Sequence, residues 1–137
     1  MFSDKLEQDS SYVFFILGMP RSGTKLLRSL LNLHTQVKIP EIETEFFPYL
    51  HNKVASMPSC QSYDNFLELY NDLKHFPFFI YLEEMDRIPD SEVWFNSCKE
   101  FDSKGIFIAL LRVITHTEYE KNVLIGDKSP SYINNLA

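Results

Sequence analysis

Short apolar runs and helical patterns alternate along this chain. The run 12–17, Tyr-Val-Phe-Phe-Ile-Leu, is rich in aromatic and branched residues and ends at Gly18. This pattern predicts a strand buried on both faces in a parallel sheet. The segment 24–33 then carries leucines at helical spacing with polar residues on its other side, which predicts an amphipathic helix. A short extended piece at 37–39 stops at Pro40, because the residue before a proline avoids helical angles.

The rest of the chain is mostly helical in prediction and closes with a second strand. The pattern first predicts a helix at 62–76, capped by Ser62 or Asp64, and then a run at 78–82 that fits either a strand or a helix end. A helix capped by Asp90 or Ser91 follows, and after it an apolar helix at 106–114. The last predicted element is a buried strand at 122–126. No internal repeat or linker interrupts this order, so residues 1–137 are interpreted as one domain.

Composition and charge narrow the function. With 137 residues, of which 45% are hydrophobic, the chain can bury one sizeable core. Thirteen basic against nineteen acidic residues give a net charge of -6, so no broad basic face is expected for a nucleic acid, and any anion must be captured locally. The apolar runs are shorter than a membrane span. Two isolated cysteines, Cys60 and Cys98, favour free thiols in a reducing cytoplasm.

The turn between the first strand and the first helix is the strongest candidate for an anion site. Unpaired backbone amides and the positive end of a helix dipole converge at such a turn. Arg21 and Lys25 add two cations there, and Ser22 and Thr24 add two hydroxyls. These side-chain donors exceed what a purely structural turn requires.

The same turn differs from a nucleotide-binding P-loop in one respect. A P-loop requires Lys followed by Ser or Thr directly after its second glycine. Here Gly23 is followed by Thr24 and then Lys25, which reverses that order. The lysine for the terminal phosphates and the hydroxyl for magnesium are therefore both misplaced, and an ATPase or small kinase is disfavoured.

Three stretches, in the same order as in the family, resemble sulfotransferases that use 3'-phosphoadenosine 5'-phosphosulfate (PAPS). Gly-Met-Pro-Arg-Ser-Gly-Thr at 18–24 resembles the G-x-P-R-S-G-T segment that grips the donor's 5'-phosphosulfate. Glu-Ile-Glu-Thr-Glu-Phe-Phe at 41–47 is similar to a glycosaminoglycan sulfotransferase pattern of alternate glutamates before Phe-Phe. Lys-Ser-Pro-Ser-Tyr at 128–132 is similar to the K-S-P-x-Y that ends a core strand.

The resemblance implies a role for each matching residue. The donor's phosphosulfate would be held by Arg21, Ser22, Gly23, Thr24 and Lys25. Lys25 stands where family members commonly have Thr, although some heparan-type members have a basic residue there. The alternation of Glu41, Glu43 and Glu45 in an extended segment offers three carboxylates to one site, and spacing alone does not choose among them. The resemblance selects Glu43 as the base that deprotonates the acceptor. Lys128 and Arg21 would offset negative charge on the leaving phosphate oxygen.

The implied fold is a three-layer α/β/α domain with a parallel sheet, of the P-loop-like sulfotransferase type, and the resemblance implies no metal. The family's 3'-phosphate ligands follow the K-S-P-x-Y strand, so the domain is expected to be incomplete at Ala137 and poorly folded or self-associating in isolation. The expected partner is a saccharide or other small-molecule acceptor. The alternative function is an inactive fragment or a module that binds only the nucleotide's 5'-phosphate. Neither the acceptor nor the oligomeric state follows from the sequence.

Overall fold

A parallel sheet forms the centre of the fold. The computed structural model describes residues 13–18, 23–120 and 122–135. Within these residues the strands are β1 (Val13–Ile16), β2 (Val37–Lys38) and β3 (Leu124–Lys128), all parallel in the order β1-β3-β2. Ile16 lies opposite Lys128 across the β1–β3 pair. The carboxyl ends of β1 and β3 are therefore level, and the chain leaving each strand emerges at the same edge of the sheet.

Helices make the crossovers that parallel strands require. The described α-helices are α1 (Thr24–Leu31), α2 (Phe47–Ser56), α3 (Tyr63–Leu73), α4 (Pro77–Glu84), α5 (Ser91–Ser97) and α6 (Ser103–Ile114), and a 3-10 helix spans Pro130–Asn135. The first crossover, from β1 to β2, uses α1 alone. The second, from β2 to β3, contains the other five α-helices, and the 3-10 helix follows β3.

Side chains of β1 alternate between two apolar clusters, as the pleat of a strand requires. Val13 packs against the large cluster formed by the helices of the second crossover, and the ring of Phe15 stacks 6.1 Å from that of Phe107 in α6. Phe14 and Ile16 belong to a smaller cluster that includes Leu31 of α1. The sheet therefore lies between α1 and the other helices, which confirms the predicted α/β class with a parallel sheet.

The main core is aromatic and lies among the helices of the second crossover. Its largest fully buried side chains include Trp94, Phe46, Phe66, Phe78, Phe79 and Phe107. The indole of Trp94 donates a hydrogen bond to the carbonyl of Ile106 at 2.9 Å, so its polar atom is satisfied inside the core. The ring of Phe46 lies 5.0 Å from that of Phe79. Because Phe46 ends the acidic segment, this packing anchors that segment to the core.

Three elements differ from the sequence prediction. Strand β3, which was predicted at 122–126, covers 124–128, because Asp127 and Lys128 continue the ladder opposite Phe15 and Ile16. The ambiguous run at 78–82 is helical, with Pro77 in its first turn, where a missing N–H costs nothing. Helix α2 was not predicted, and within it Leu50 is the buried side chain.

The orientation of α1 is the clearest departure. Its leucines predicted a buried apolar face, but Leu26, Leu27, Leu30 and Leu33 are exposed. Of its polar residues, Arg28 and Asn32 contact the chain after β2 instead, whereas Lys25 and Ser29 are exposed. Arg28 donates to the carbonyl of Glu41 at 2.5 Å, and the amide of Asn32 exchanges two hydrogen bonds with the backbone of Ile39. These bonds fix α1 by its polar residues.

Candidate functional site

The start of α1 offers unpaired backbone donors at the carboxyl edge of the sheet. Gly23 is the N-cap and has φ 89°, a left-handed conformation that favours glycine. It provides no capping side chain, and no acidic residue occupies the first turn. Among the described residues, a Cβ atom built at Gly23 would meet nothing within 4 Å, which leaves room for a ligand close to this backbone. The first amides of α1 are thus available to an anion.

The predicted phosphate-binding residues are only partly described. Met19 to Ser22 lie outside the described residues, so the predictions for Arg21 and Ser22 have no structural counterpart here. Thr24 is buried at the first position of α1, whereas Lys25 is exposed beside it. The predicted roles of all five residues of this set stay predictions.

Glu43 and Lys128 meet at the same edge of the sheet although 85 positions separate them. The ammonium of Lys128 donates to Oε1 of Glu43 at 2.5 Å. Lys128 ends β3 and is 8% exposed, so the ion pair is shielded from much of the solvent. Burial by itself raises the pKa of Glu43, but hydrogen bonds from Lys128 and Glu45 and the charges of Lys128 and Arg28 outweigh it and lower that pKa. Glu43 is therefore an ionised carboxylate.

The other two glutamates occupy different surroundings. Glu45 has φ 57°, which breaks the extended alternation and turns its carboxyl to Glu43. That hydrogen bond, together with burial and the charges of Glu43 and Asp127, raises the pKa of Glu45. Glu41 instead has an exposed carboxylate 3.9 Å from the guanidinium of Arg87. Glu43 and Glu45 thus form a carboxyl pair in which Glu45 takes a proton more readily.

A buried hydrogen-bond chain fixes the acidic segment against the end of β3. The amide of Phe47 donates to the hydroxyl of Tyr132 at 3.0 Å, and the Thr44 hydroxyl contacts both Tyr132 and Asp127 at 2.6 Å. Ser129 donates to Asp127 at 3.1 Å and accepts from the amide of Thr44 at 3.0 Å. The hydrogen bonds of this network can all be donated in the direction of the Asp127 carboxylate, which is their final acceptor.

Asp127 is the fully buried acceptor of that network. Its burial raises its pKa to about 6, while the hydrogen bonds from Thr44 and Ser129 act in the opposite direction. Burial likewise raises the pKa of Tyr132, which keeps that phenol a hydrogen-bond donor. Because Thr44 and Lys128 directly follow Glu43 and Asp127 in the chain, the network also sets where the Glu43–Lys128 pair lies.

Sequence reasoning missed the members of this network. Ser129 and Tyr132 belong to the third matching stretch and Asp127 directly precedes it, but none of them received a role, and Thr44 and Arg28 were not singled out. A signal for Thr44 was present: if alternate glutamates face a site, the residue between them faces the core. The partners of Thr44 were not predictable, because they lie 83 to 88 positions away.

Comparison with known proteins bears on the same stretch of chain. A family model described as the sulfotransferase family matches residues 14–137. No curated protein matches the chain, and no solved structure does. Within the described ranges, no group of three or more His, Cys, Asp or Glu side chains is placed to hold a metal ion. No helix in the same part of the chain is long and apolar enough to cross a membrane.

Proposed function

Because the chain belongs to the sulfotransferase family, we propose that it transfers a sulfuryl group from PAPS to a hydroxyl or amine of a small-molecule or saccharide acceptor. The observation that supports this most is the contact between Glu43 and Lys128. An ionised carboxylate and a buried cation lie together where β3 ends, level with the end of β1. Ligands of open α/β sheets bind at this edge.

The proposed reaction is an in-line displacement at sulfur. The acceptor oxygen or nitrogen forms a bond to sulfur as the bond from sulfur to the donor's 5'-phosphate oxygen breaks. The electron pair of the broken bond stays on that phosphate oxygen, and the acceptor proton passes to Glu43. The products are the sulfated acceptor and 3'-phosphoadenosine 5'-phosphate (PAP).

Glu43 and Lys128 have complementary roles in this proposal. The lowered pKa of Glu43 keeps the base ionised at neutral pH, and the hydrogen bond with Glu45 helps to hold its carboxylate in place. Lys128 offsets the negative charge that develops on the leaving phosphate oxygen. In the absence of donor the two side chains neutralise each other. A bound phosphosulfate would compete for Lys128 and release the carboxylate of Glu43 toward the acceptor.

The donor's phosphosulfate would be held at the start of α1. The uncapped amides after Gly23 and the side chains of Arg21, Ser22, Thr24 and Lys25 supply the donors. The open space at Gly23 suits the close approach of an anion to the backbone. The order Thr24-Lys25 does not place a hydroxyl where a P-loop holds magnesium, so we propose binding that needs no magnesium.

Calorimetry with PAP tests this proposal. We expect the 137-residue chain to bind PAP equally with magnesium and with EDTA. Arg21→Ala should weaken binding about ten- to a hundredfold, since a hydrogen bond to a charged group contributes about 1.5–3 kcal/mol. Lys99→Ala, which removes an exposed charge elsewhere, should leave it unchanged. A folded chain that does not bind PAP, or that binds it equally after Arg21→Ala, would contradict the proposed donor site.

A further inference from the structure

A cavity lies beside the acidic segment, and the function proposed above gives it no role. Its volume is about 320 Å³, and it opens between the chain after β2 and the C-terminal ends of α4 and α6. Its lining includes Lys38, Glu41, Tyr81, Arg87 and His116. Glu41 and Ile42 line it, and Glu43 is the next residue along the chain.

The charge of this cavity is opposite to that of the whole chain. The protein has a net charge of -6, yet two cations, Lys38 and Arg87, line the cavity against one carboxylate, that of Glu41, and His116 adds an imidazole. That carboxylate is 3.9 Å from Arg87 and exposed, so water screens much of the attraction between the two. Among the described residues, the side chains of Lys38 and His116 have no hydrogen-bond or ion-pair partner.

Two helix ends hold Arg87 and His116 in place. After α4, the amide of Arg87 donates to the carbonyl of Leu82 at 2.7 Å and that of Asp86 to Glu83 at 3.0 Å. The end of α6 repeats this geometry, with the amide of Thr117 donating to Arg112 at 2.9 Å and that of His116 to Val113 at 3.2 Å. These are the paired bonds of a Schellman motif.

The same bonds matter for the electrostatics of the cavity. Carbonyls at a helix C-terminus carry partial negative charge and would repel an anion. Here amide donors of the Schellman motifs occupy carbonyls of both last turns, which reduces that repulsion. His116 has φ 57°, at a position where glycine is usual and a larger side chain costs free energy. The ring of His116 therefore lines the cavity at a position where glycine would be less strained.

We infer that this cavity binds an anionic group of the acceptor, such as a carboxylate, through Arg87, Lys38 and His116. The inference rests on the proposed function, which it deepens by assigning the acceptor a negative charge. Tyr81 offers an aromatic face to the body of the same molecule. The acceptor's anionic group displaces Glu41 as the partner of Arg87.

Distances along the chain suit this arrangement. Two residues of chain span at most about 7 Å, so the backbone of Glu43 lies within that distance of Glu41 at the cavity wall. A molecule about the length of one sugar ring can therefore hold its anionic group in the cavity and its nucleophile near Glu43. The donor loop is at the other end of α1, about 12 Å from the Asn32 end that lines the cavity.

A matched pair of probes tests the inference by direct binding, without turnover. p-Nitrophenyl β-D-glucuronide and p-nitrophenyl β-D-glucoside differ in the group at C6, which is a carboxylate in one and a neutral hydroxymethyl in the other. Titrations followed by NMR, with PAP present, should show the glucuronide binding about tenfold or more tightly, as expected for one hydrogen bond to a charged group. Equal affinities, or no binding of either probe to a chain that binds PAP, overturn the inference.

Variants of opposite sign sharpen the test. Arg87→Gln should remove the preference for the glucuronide, whereas Glu41→Gln should strengthen glucuronide binding, because it removes the competing carboxylate. Lys74→Gln is the control for Arg87→Gln, because it also removes one positive charge. Lys74 lies over the ring of Tyr70, outside the cavity, so this variant should alter the affinity for neither probe. If inorganic phosphate displaces the glucuronide with equal affinity, the cavity is a general anion site and the acceptor assignment is wrong.

The two proposals fail separately. Loss of PAP binding in Arg87→Gln would mean that the cavity holds part of the donor. That result overturns the inference and the placement of the whole donor site at the start of α1, whereas sulfuryl transfer from PAPS still stands. A chain that does not bind PAP but prefers the glucuronide in an Arg87-dependent manner would instead contradict the proposed function, and the anion site would stand alone.

Discussion

Three glutamates follow Pro40, and their surroundings separate them at the scale of single residues. Glu43 contacts Lys128, Glu45 turns to Glu43 through a left-handed backbone conformation, and Glu41 is exposed beside Arg87. A general base must be ionised and within reach of the reacting group. Of the three, Glu43 has the lowered pKa and the contact with the proposed charge-neutralising lysine.

Side-by-side substitution of the glutamates tests the base. Glu43→Gln is nearly isosteric and should lower turnover about a hundredfold to ten-thousandfold with little change in PAP affinity. Glu45→Gln should have a smaller effect, since Glu45 acts through Glu43, and Glu41→Gln should leave turnover largely intact. Steady-state kinetics and calorimetry of the three variants decide. Near-normal turnover in Glu43→Gln together with loss of turnover in Glu45→Gln would identify Glu45 as the base.

Asp127 contributes pH dependence to stability. Its pKa is raised from 3.8 to about 6 by burial, so the folded state binds this proton more tightly than the unfolded state does. The stabilisation from the protonated carboxyl is fully present below about pH 4 and is lost as the pH rises through about 6. Above that pH the folded state holds a buried carboxylate stabilised by Thr44 and Ser129.

Asp127→Asn should remove this pH dependence. Relative to the wild type, the free energy of unfolding of the variant should rise between about pH 4 and pH 7 by about 3 kcal/mol, which is two pKa units. The substitution also changes hydrogen bonds, which shifts the free energy of unfolding by the same amount at every pH and therefore leaves its pH dependence unaffected. Urea unfolding across that pH range measures it, and Asp64→Asn, at an exposed carboxylate, is the control. Parallel curves for Asp127→Asn and the wild type would refute the expectation.

At the scale of elements, helix caps differ in what their side chains do. Asp102 precedes α6 and accepts a hydrogen bond from the amide of Gly105 at 2.7 Å, and Asp90 likewise accepts from Glu92 before α5. Ser62 occupies the N-cap of α3 but makes no capping bond through its side chain. The sequence named Ser62 and Asp90 as candidate caps without distinguishing them. Rotamer and backbone geometry decide which of two capping residue types forms the bond.

Two alanine substitutions test this difference. Asp102→Ala should lower the free energy of unfolding by about 1 kcal/mol, because an orphan amide loses its partner. Ser62→Ala should change it by less than about 0.5 kcal/mol, since no capping bond is lost. Urea unfolding of both variants compares them directly. A larger loss for Ser62→Ala than for Asp102→Ala would reverse this assignment of the caps.

At the scale of the whole molecule, burial is uneven. The helices of the second crossover enclose an aromatic core, whereas Leu26 (64%) and Leu30 (55%) are exposed on α1 and Leu33 (78%) is exposed just after it. Among the described strands, β1 is at one edge of the sheet. An open strand edge beside an exposed apolar helix face favours association.

The 137-residue chain is therefore expected to self-associate as its concentration rises. Replacing Leu26 and Leu30 together by Glu should shift the sedimentation coefficient toward that of a monomer, because two charges then occupy the apolar face. The pair Ile80→Glu and Val93→Glu adds the same charges at exposed apolar residues of α4 and α5 and should leave association unchanged. A monomeric wild-type chain across the concentration range would show that this face does not drive association.

The sequence by itself determined what depends on local spacing. β1, the start of α1 at Thr24, the helix within 62–76 and the parallel α/β class were predictable, because strand and helix periods are properties of neighbouring residues. The order of three short motifs likewise indicated the family that matches residues 14–137.

Only the tertiary structure decided which groups meet. Glu43 and Lys128 form an ion pair across 85 positions, and Thr44 reaches Asp127 across 83, so these contacts exist only once the second crossover has closed. The inward orientation of Arg28 in α1 and of Asn32 at its C-terminal end also escaped prediction. Both side chains bind backbone carbonyls of the loop after β2, and these partners exist only in the folded chain. Periodicity identifies which side chains share a face, but hydrogen-bond partners distant in sequence determine where that face points.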